Sequence, residues 1–304
     1  MVKTKHTFPP KFQDPSHQLD LHPGQSIELL KALHILTREG KINQDSRRKL
    51  KQVKHLFQFI EKPLMAMLTE RLAQGSNAPI VLADHGAGKS YLGFMIHDWF
   101  FKPQQLMHGR SVGKVIGIES RAELVAASQQ IAKQLGFEPG MQFIHASVSQ
   151  ATADQRLPDS VDMVTALHAC DTATDDAIAF GLAKHAQYMA LVPCCQAEVA
   201  ACLRQDKALQ LARTPLAELW RHPLHTREMG SQITNVMRCL YLESQGYQVT
   251  VTELVGWEHS MKNELILAQH TGQKTHSARE RLQALLGQLG LQAWGEQRFP
   301  LRQG

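Results

Sequence analysis

A glycine-rich segment between a strand-like run and a helix-like run constrains the fold of this chain more than any other feature. The run IVLAD at residues 80–84 is apolar and rich in β-formers, and the letters HGAGKS follow it at once. The next ten residues, 91–100, have a helical pattern. Glycines at such a turn let a ligand approach the backbone closely, and the start of the helix offers free N–H groups to it. The segment therefore predicts a ligand-binding loop after the first strand of a βαβ unit.

Strand-like and helix-like runs alternate along the rest of the chain. The further strand-like runs are short and apolar, and they lie at residues 115–119, 142–147, 161–169, 188–195, 247–255 and 263–270. Such alternation is typical of a parallel, doubly wound sheet with helices on both faces. The last two strands follow each other without a helix between them, which indicates an antiparallel hairpin. The sequence therefore predicts an α/β fold, with a Rossmann-like seven-stranded, mostly parallel sheet and an antiparallel hairpin at its edge.

Two helices are predicted before the sheet, as an N-terminal helical extension. The first begins at Ser26 and ends near Gly40, and the second runs from Gln44 to Leu72 with a break or bend at Pro63. These patterns divide the chain into an N-terminal arm and helical extension (1–72), a sheet domain (73–272) and a C-terminal helix and tail (273–304).

The composition excludes several classes of protein. Hydrophobic residues make up 43% of the chain, which is enough for a folded core, so a largely disordered protein is excluded. No apolar run approaches the ~18 residues of a membrane span, and the first residues contain no apolar signal segment. The five cysteines are an odd number, which argues against a disulfide framework. We therefore expect a cytoplasmic protein without a membrane partner, and its oligomeric state stays open.

Positive charge is concentrated in the first 60 residues. This segment holds eleven Lys or Arg residues and five Asp or Glu residues, a net charge of +6, whereas the whole chain carries +5. Its densest part, SRRKLKQVKH, contains Arg47, Arg48, Lys49, Lys51 and Lys54, which could contact the phosphates of an RNA partner. An ordinary solvated helix face is the other interpretation, and no aromatic residues are interleaved to stack on bases.

Two chemistries compete for the glycine loop. The letters GAGKS suggest a phosphate-binding P-loop, in which Lys89 would hold phosphates and Ser90 a magnesium ion. The first glycine of that motif would fall on Ala83, however, and Asp84 would add a negative charge beside the phosphates. The alternative is a D-x-G-x-G loop, as in S-adenosylmethionine enzymes, where an acid near the ligand's ammonium group is favourable. A glycine turn that only permits tight packing is the structural alternative.

The second strand favours the adenosyl cofactor. It ends in Glu119, 31 residues after Gly88, and an acid at this point would accept hydrogen bonds from the ribose hydroxyls. The spacing exceeds the ~20 residues typical of Rossmann units, and we attribute the excess to a loop inserted at residues 101–112. The residues that we assign to the cofactor site are Asp84, Gly86, Gly88, Glu119 and Ser147.

The ends of strands four and five should face the reacting group, because ligands of doubly wound sheets lie across these ends. His168 and Asp171 follow the fourth strand, and either could act as a base toward a hydroxyl or an amine. Alternatively, Asp171 caps the next helix and His168 packs in the core. Cys194 follows the fifth strand, but the spacing of the cysteines matches zinc sites poorly, so no metal is expected. Lys262 and Asn263 could line a substrate pocket or belong to a solvated hairpin loop.

Four sequence blocks, in this order, resemble a class I methyltransferase family: ADHGAGKSYL, ALHACDTATDDAI, LVPCCQAE and EHSMKN. The family includes eukaryotic methyltransferase-like proteins of the "methyltransferase domain" type and the glutathione S-transferase C-terminal-domain-containing protein. More distantly, the blocks are similar to a eukaryotic tRNA ribose methyltransferase. The resemblance covers roughly residues 50–270.

This resemblance implies an S-adenosylmethionine-dependent methyltransferase that acts on RNA, such as tRNA or rRNA. It places the cofactor on the glycine loop, with Glu119 on the ribose. It places the methyl-accepting pocket around His168, Asp171, Asp175 and Cys194. A protein or small-molecule acceptor remains an alternative, as does a nucleoside-binding module without catalysis.

Overall fold

The computed structural model describes residues 21–167, 171–193, 196–205, 215–254, 264–273 and 275–301. In these residues the strands are β1 (Ile80–His85), β2 (Gly113–Glu119), β3 (Met141–His145), β4 (Met163–Leu167), β5 (Tyr188–Val192), β6 (Tyr247–Glu253) and β7 (Glu264–His270). The helices before β4 are α1 (Ile27–Ala32), α2 (Gln44–Ala73), α3 (Tyr91–Ile96), α4 (Lys102–His108), α5 (Ala122–Gln134) and α6 (Val148–Ala151). The helices after β4 are α7 (Thr172–Ala183), α8 (Glu198–Gln205), α9 (Pro223–Ser244), α10 (His276–Leu289) and α11 (Gln292–Arg298).

The strands form one sheet in the order β3-β2-β1-β4-β5-β7-β6. The first five pair in parallel, and β7 pairs antiparallel with both β5 and β6. The predicted Rossmann-like sheet with an antiparallel edge hairpin is therefore confirmed. The register sets His85 of β1 beside Ile118 of β2, and Glu119 beside His145 of β3, so the carboxyl ends of these strands share one edge. We call this edge, with the corresponding ends of β4 and β5, the carboxyl edge.

Successive strand residues point to opposite faces of the sheet, and each face carries its own buried cluster. Leu82 and Val115 belong to the cluster that includes residues of α1, α2, α3 and α5. Ala83 and Ile116 belong to the second cluster, with residues of α7, α9, α10 and α11. The N-terminal helices thus share a core with the sheet, while the predicted division of the chain at residues 72 and 272 stays a prediction.

The long helix α2 runs along one face of the sheet, from the carboxyl ends of the parallel strands to their amino ends. Near its start, Lys49 Nζ lies 6.0 Å from the ring centroid of Tyr91, at the beginning of α3. Near its end, Arg71 binds the side chain of Asp162, just before β4, and the carbonyl oxygen of Ala78, just before β1. At about 1.5 Å per residue its 30 residues span about 45 Å. The basic start of α2 therefore lies at the carboxyl edge.

The bounds predicted for α2 agree with the structure to within one residue, but a break at Pro63 and the end predicted for α1 were wrong. Helix α2 continues through Pro63, because Leu64, Met67 and Leu68 beyond the proline stay buried and outweigh one lost backbone hydrogen bond. Helix α1 already ends at Ala32, and the chain turns at His34, whose φ is 56°.

Helical structure also replaces two other predicted features. The segment predicted as an inserted loop contains α4, which follows a π-helical turn at His97–Phe101. The C-terminal segment forms two helices, since Gly290, with φ of 69°, ends α10. In the part of the chain that the structure describes, no helix is long and apolar enough to cross a bilayer.

Candidate active site

The glycine loop after β1 is a tight turn attached to β2. Gly86 and Gly88 have φ values of 62° and 58°, which glycine adopts without strain. The backbone N–H of Ala87 donates to the carbonyl of Ile118 at 3.1 Å, and that of Gly88 donates to Glu119 Oε2 at 2.7 Å. The loop conformation therefore depends on two glycines and on the acid that ends the neighbouring strand.

Glu119 is held in its position by Arg121 as well as by the loop. Its Oε1 accepts hydrogen bonds from the backbone N–H of Arg121 at 3.0 Å and from Arg121 Nε at 2.9 Å. Burial raises the pKa of Glu119, but the hydrogen bonds from Arg121 and from Gly88 lower it more, so the pKa lies below its usual value. An ionised carboxylate therefore stands at the end of β2, beside the glycine loop.

Asp84, at the end of β1, is more deeply buried than Glu119 is. Its side chain accepts a hydrogen bond from Thr165 Oγ1 of β4 at 2.7 Å, and the residue is 2% exposed. Burial raises the pKa of Asp84 to about 7, although the hydrogen bond from Thr165 opposes this change. Asp84 thus links β1 to β4. Its predicted contact with a ligand's ammonium group stays a prediction.

Two polar side chains of the loop are buried without hydrogen-bond partners among the residues that the structure describes. His85 packs edge-on against Phe180 of α7, with ring centroids 4.3 Å apart, and neither of its nitrogens is bonded to a described residue. Burial lowers the pKa of His85 to about 3, so its imidazole is neutral at physiological pH. Ser90 Oγ likewise has no hydrogen-bond partner in the described part of the chain, and Ser90 has a left-handed backbone with φ of 52°. Unpartnered groups of this kind are uncommon in folded proteins, and here they flank the glycine loop.

Ser147 follows β3 at the carboxyl edge, but its side chain is used locally. Its hydroxyl accepts a hydrogen bond from the backbone N–H of Gln150, and the Gln150 side chain accepts one from Ser147 N–H. This is a capping box at the start of α6. The predicted contact of Ser147 with the cofactor stays a prediction.

Asp171 follows β4 with an unusual backbone conformation. Its φ is 52° and its ψ is −122°, outside the regions that non-glycine residues ordinarily adopt. It precedes α7, but its side chain makes no capping hydrogen bond with that helix. Instead, Asp171 Oδ1 accepts a hydrogen bond from the backbone N–H of Ala197, in the segment after β5, at 3.1 Å. Asp171 therefore joins the ends of the two strands between which the sequence predicts the reacting group.

Arg238 of α9 lies behind Asp171, and sequence reasoning missed it. Its side chain is fully buried. Arg238 Nε donates to Asp175 Oδ1 at 2.6 Å, and Nη2 donates to the backbone carbonyl of Asp171 at 2.9 Å. Asp175, implied by the resemblance to shape the pocket, is thus buried against the arginine. A single arginine within the apolar run VMRCLYL was the signal that could have identified it.

The remaining predicted site residues fall into two groups. Arg47, Arg48 and Lys51 are exposed on α2, and Arg48 lies 3.7 Å from the carboxylate of Asp45. The other predicted residues lie outside the described residues; these are His168, Cys194, Lys262 and Asn263. Within the described residues, no cluster of three or more His, Cys, Asp or Glu side chains could hold a metal ion.

Comparison with known proteins decides between the two chemistries of the loop. The family described as "Methyltransferase domain" matches residues 48–202, which include the glycine loop, Glu119 and Asp171. The chain belongs to this family. It is a methyltransferase, and its cofactor is S-adenosyl-L-methionine. The P-loop interpretation is thereby set aside.

Solved structures resemble the chain at low sequence identity. A putative O-methyltransferase from Klebsiella pneumoniae is 13% identical, with coverage of 84% of this chain and 95% of that one and a TM-score of 0.46. The SAH-bound methyltransferase PaMTH1 from Podospora anserina is 11% identical, with coverage of 89% and 100% and a TM-score of 0.45. The SAH-bound magnesium protoporphyrin IX methyltransferase from Synechocystis PCC 6803 is 13% identical, with coverage of 85% and 100% and a TM-score of 0.39. No curated protein matches the chain in sequence.

Proposed function

We propose that this methyltransferase transfers the methyl group of S-adenosylmethionine to RNA. The observation that carries the proposal is the location of the basic start of α2, where Lys49 Nζ lies 6.0 Å from the ring of Tyr91. Tyr91 directly follows the glycine loop, so the cations of α2 border the carboxyl edge, where the cofactor loop lies. Phosphates bound by these cations would hold a nucleic-acid substrate beside the methyl donor.

The described residues fit an adenosyl cofactor. The left-handed glycines leave the loop backbone open to a ligand, and a side chain at Gly88 would be strained because its φ is 58°. Glu119, ionised and at the end of β2, is the acceptor for the ribose hydroxyls. When bound, the cofactor supplies an electrophilic methyl group on a sulfonium.

The acceptor side of the site is built around Asp171. Methyl transfer is an in-line displacement, so the protein's main task is to orient the acceptor atom and to remove its proton where it carries one. Asp171 is the carboxylate that we propose for proton removal. The other candidates proposed from the sequence, His168 and Cys194, lie outside the described residues. Lys262 and Asn263 are proposed to contact the acceptor from the connection between β6 and β7.

The direct test is transfer of a labelled methyl group from S-adenosylmethionine to total RNA, with total protein as the parallel sample. Label in RNA that resists protease and is lost on ribonuclease treatment supports the proposal. Label in protein alone contradicts it and identifies a protein methyltransferase. Absence of label from both samples, with the cofactor bound normally, contradicts it in favour of a small-molecule acceptor or a module without catalysis.

The RNA contact makes a separate prediction about salt. Replacement of Arg47, Arg48 and Lys51 by glutamine should weaken RNA binding. The slope of the logarithm of the association constant against the logarithm of the salt concentration should become less steep by about 2, because each lost phosphate contact removes about 0.7–0.9 from it. The affinity for S-adenosylmethionine should stay unchanged. The measurement is the dissociation constant for tRNA at several salt concentrations.

A matched control removes the same charge at the other edge of the sheet. Lys62, Lys133 and Arg279 lie on α2, α5 and α10, towards the amino ends of the parallel strands. Their replacement by glutamine should leave the salt slope close to that of the unmodified protein. An equal loss of slope in both triple variants would show that binding responds to net charge alone, which contradicts the docking of RNA on α2.

A further inference from the structure

Arg238 of helix α9 is a buried side chain that donates hydrogen bonds to three acceptors. Arg238 has no exposed surface, and a buried guanidinium is tolerated only when its N–H groups are bonded. Its donors meet Asp175 Oδ1, Asn235 Oδ1 at 3.0 Å and the carbonyl of Asp171. The arginine therefore joins α9 to the start of α7 and to the residue that precedes it.

Asn235, one turn before Arg238, extends these contacts to the other strand ends. Its Oδ1 accepts a hydrogen bond from Gln196 Nε2, after β5, at 3.1 Å. Its Nδ2 donates to Glu264 Oε2, the first residue of β7, at 2.7 Å. Gln196 in turn accepts a hydrogen bond from Ser231 of α9 at 2.5 Å. One face of α9 thus holds the chain after β4, the chain after β5 and the start of β7.

The conformation of Asp171 requires such support. A non-glycine residue with φ of 52° and ψ of −122° is strained, and such residues persist where surrounding contacts determine their backbone. Two donors meet the Asp171 carbonyl, Arg238 Nη2 at 2.9 Å and the backbone N–H of Thr174 at 3.4 Å. The arginine is the closer donor, and it is itself fixed by Asp175. The direction of the Asp171 side chain, towards Ala197, follows from this arrangement.

We propose that Arg238 is a positioning residue of the acceptor pocket, which it orders by holding the backbone of Asp171 and, through Asn235, the chain after β5 and the start of β7. The inference rests on the proposed function in taking these strand ends as the acceptor side. Arg238 is fully buried and does not touch the substrate. Its effect is to keep the Asp171 carboxylate directed across the gap between β4 and β5.

The test is Arg238→Lys, which keeps the positive charge beside Asp175 but cannot bond Asp175, Asn235 and the Asp171 carbonyl in the same planar arrangement. We expect kcat for methyl transfer to fall about 10- to 100-fold, with the dissociation constant for S-adenosylmethionine unchanged. Hydrogen exchange at the amide of Ala197 should become faster, because its acceptor is Asp171 Oδ1.

Arg281→Lys is the matched control. Arg281 of α10 also bonds a carboxylate of α9, Glu243 Oε2 at 2.9 Å, but at the far end of that helix. The control should keep kcat and the exchange at Ala197. If Arg238→Lys does not fold, Asn235→Ala, which leaves the Arg238–Asp175 pair in place, should show the same pattern with a smaller loss of kcat.

The two possible failures are distinguishable. Unchanged kcat and unchanged exchange at Ala197 in Arg238→Lys would overturn the positioning role. A parallel loss of cofactor affinity and of kcat would also overturn it, because the effect would then be general. If the unmodified protein methylates no RNA, the proposed function fails, while exchange at Ala197 still decides whether Arg238 orders this part of the chain.

Discussion

The two halves of the carboxyl edge are held together in different ways. In the cofactor half, which comprises the ends of β1 and β2 and the glycine loop, the decisive contact joins Gly88 to Glu119. These residues are 31 positions apart in the chain, and Gly88 lies in the loop after β1, whereas Glu119 ends the neighbouring parallel strand β2. In the acceptor half, by which we mean the ends of β4 and β5 and the residues that follow them, Arg238 contacts Asp175 and Asp171 from 63 and 67 residues away. The contact between the glycine loop and Glu119 therefore lies within one βαβ unit, whereas the contacts of Asp171 require a helix from a later part of the chain.

This difference separates the two tasks of the enzyme. A βαβ unit binds the cofactor with backbone N–H groups, glycines and one acid, and these depend little on what the acceptor is. The side chains that we propose to order the acceptor half belong to α9, so we expect that the acceptor pocket can change without a change in the glycine loop. Substitutions in one half should therefore spare the activity of the other half.

The largest effect is expected from Asp171→Asn. Asparagine keeps an oxygen that can accept from Ala197 N–H and tolerates a positive φ, but it cannot take up a proton at physiological pH. If the acceptor carries a proton, kcat should fall by about 100- to 10,000-fold, as for loss of a general base. Affinity for S-adenosylmethionine, measured by calorimetry, should not change. Full activity in this variant would remove Asp171 from proton transfer and leave it a role in connecting β4 and β5.

A smaller effect, confined to the cofactor half, is expected from Glu119→Ala. The variant removes the acceptor for Gly88 N–H and the acceptor that we propose for the ribose hydroxyls, and hydrogen bonds to a charged group contribute about 1.5–3 kcal/mol. The dissociation constant for S-adenosylmethionine should rise about 10- to 150-fold, with kcat at saturating cofactor much less affected. The control is Glu123→Ala, an exposed acid in the first turn of α5, which should bind the cofactor normally.

The smallest effect concerns the place where the two halves touch. His85 of the glycine loop packs on Phe180 of α7, and burial holds the pKa of His85 near 3, well below its unfolded value of about 6.5. The stability from keeping this imidazole neutral is fully present above pH 6.5 and is lost as pH falls towards 3, because the unfolded chain takes up the proton first. Between pH 7.5 and 5.5 the loss is about 1.4 kcal/mol.

His85→Leu should abolish that part of the pH dependence. The measurement is the free energy of unfolding at the two pH values. Its change between these values is determined for each protein, and the two changes are compared. An identical decline in both proteins would mean that His85 gains a proton or a partner in the folded state. The two halves would then meet through a polar contact of His85, and a purely apolar contact of a neutral His85 with Phe180 would be excluded.

The same contrast explains how much could be predicted from the sequence. The strands, the glycine loop and Glu119 were identified because apolar runs, glycines and a terminal acid are local features that alternate in chain order. Helix α9 was not predicted, although Arg238 stands out in an apolar run. The partner of a buried arginine depends on which elements pack together, and no local pattern contains that information.

Single positions within the predicted elements also depended on packing. Pro63 was expected to interrupt α2, but the buried side chains on both sides of it keep the helix continuous. Asp171 was predicted to act as a base or to cap the next helix; its side chain makes no capping hydrogen bond, and its role as a base stays a prediction. The contact with Ala197 and the positive φ became visible only with the fold, because the contact joins residues 26 positions apart and no local pattern indicates the φ.

The most direct test of this account compares Glu119→Ala and Arg238→Lys in one experiment. The measurement is the dissociation constant for S-adenosylmethionine by calorimetry, together with kcat at saturating cofactor on the acceptor identified by label transfer. The account predicts that Glu119→Ala weakens cofactor binding about 10- to 150-fold. It predicts that Arg238→Lys leaves binding unchanged and lowers kcat. Equal losses of cofactor affinity in the two variants would contradict the separation of the carboxyl edge into a cofactor half and an acceptor half.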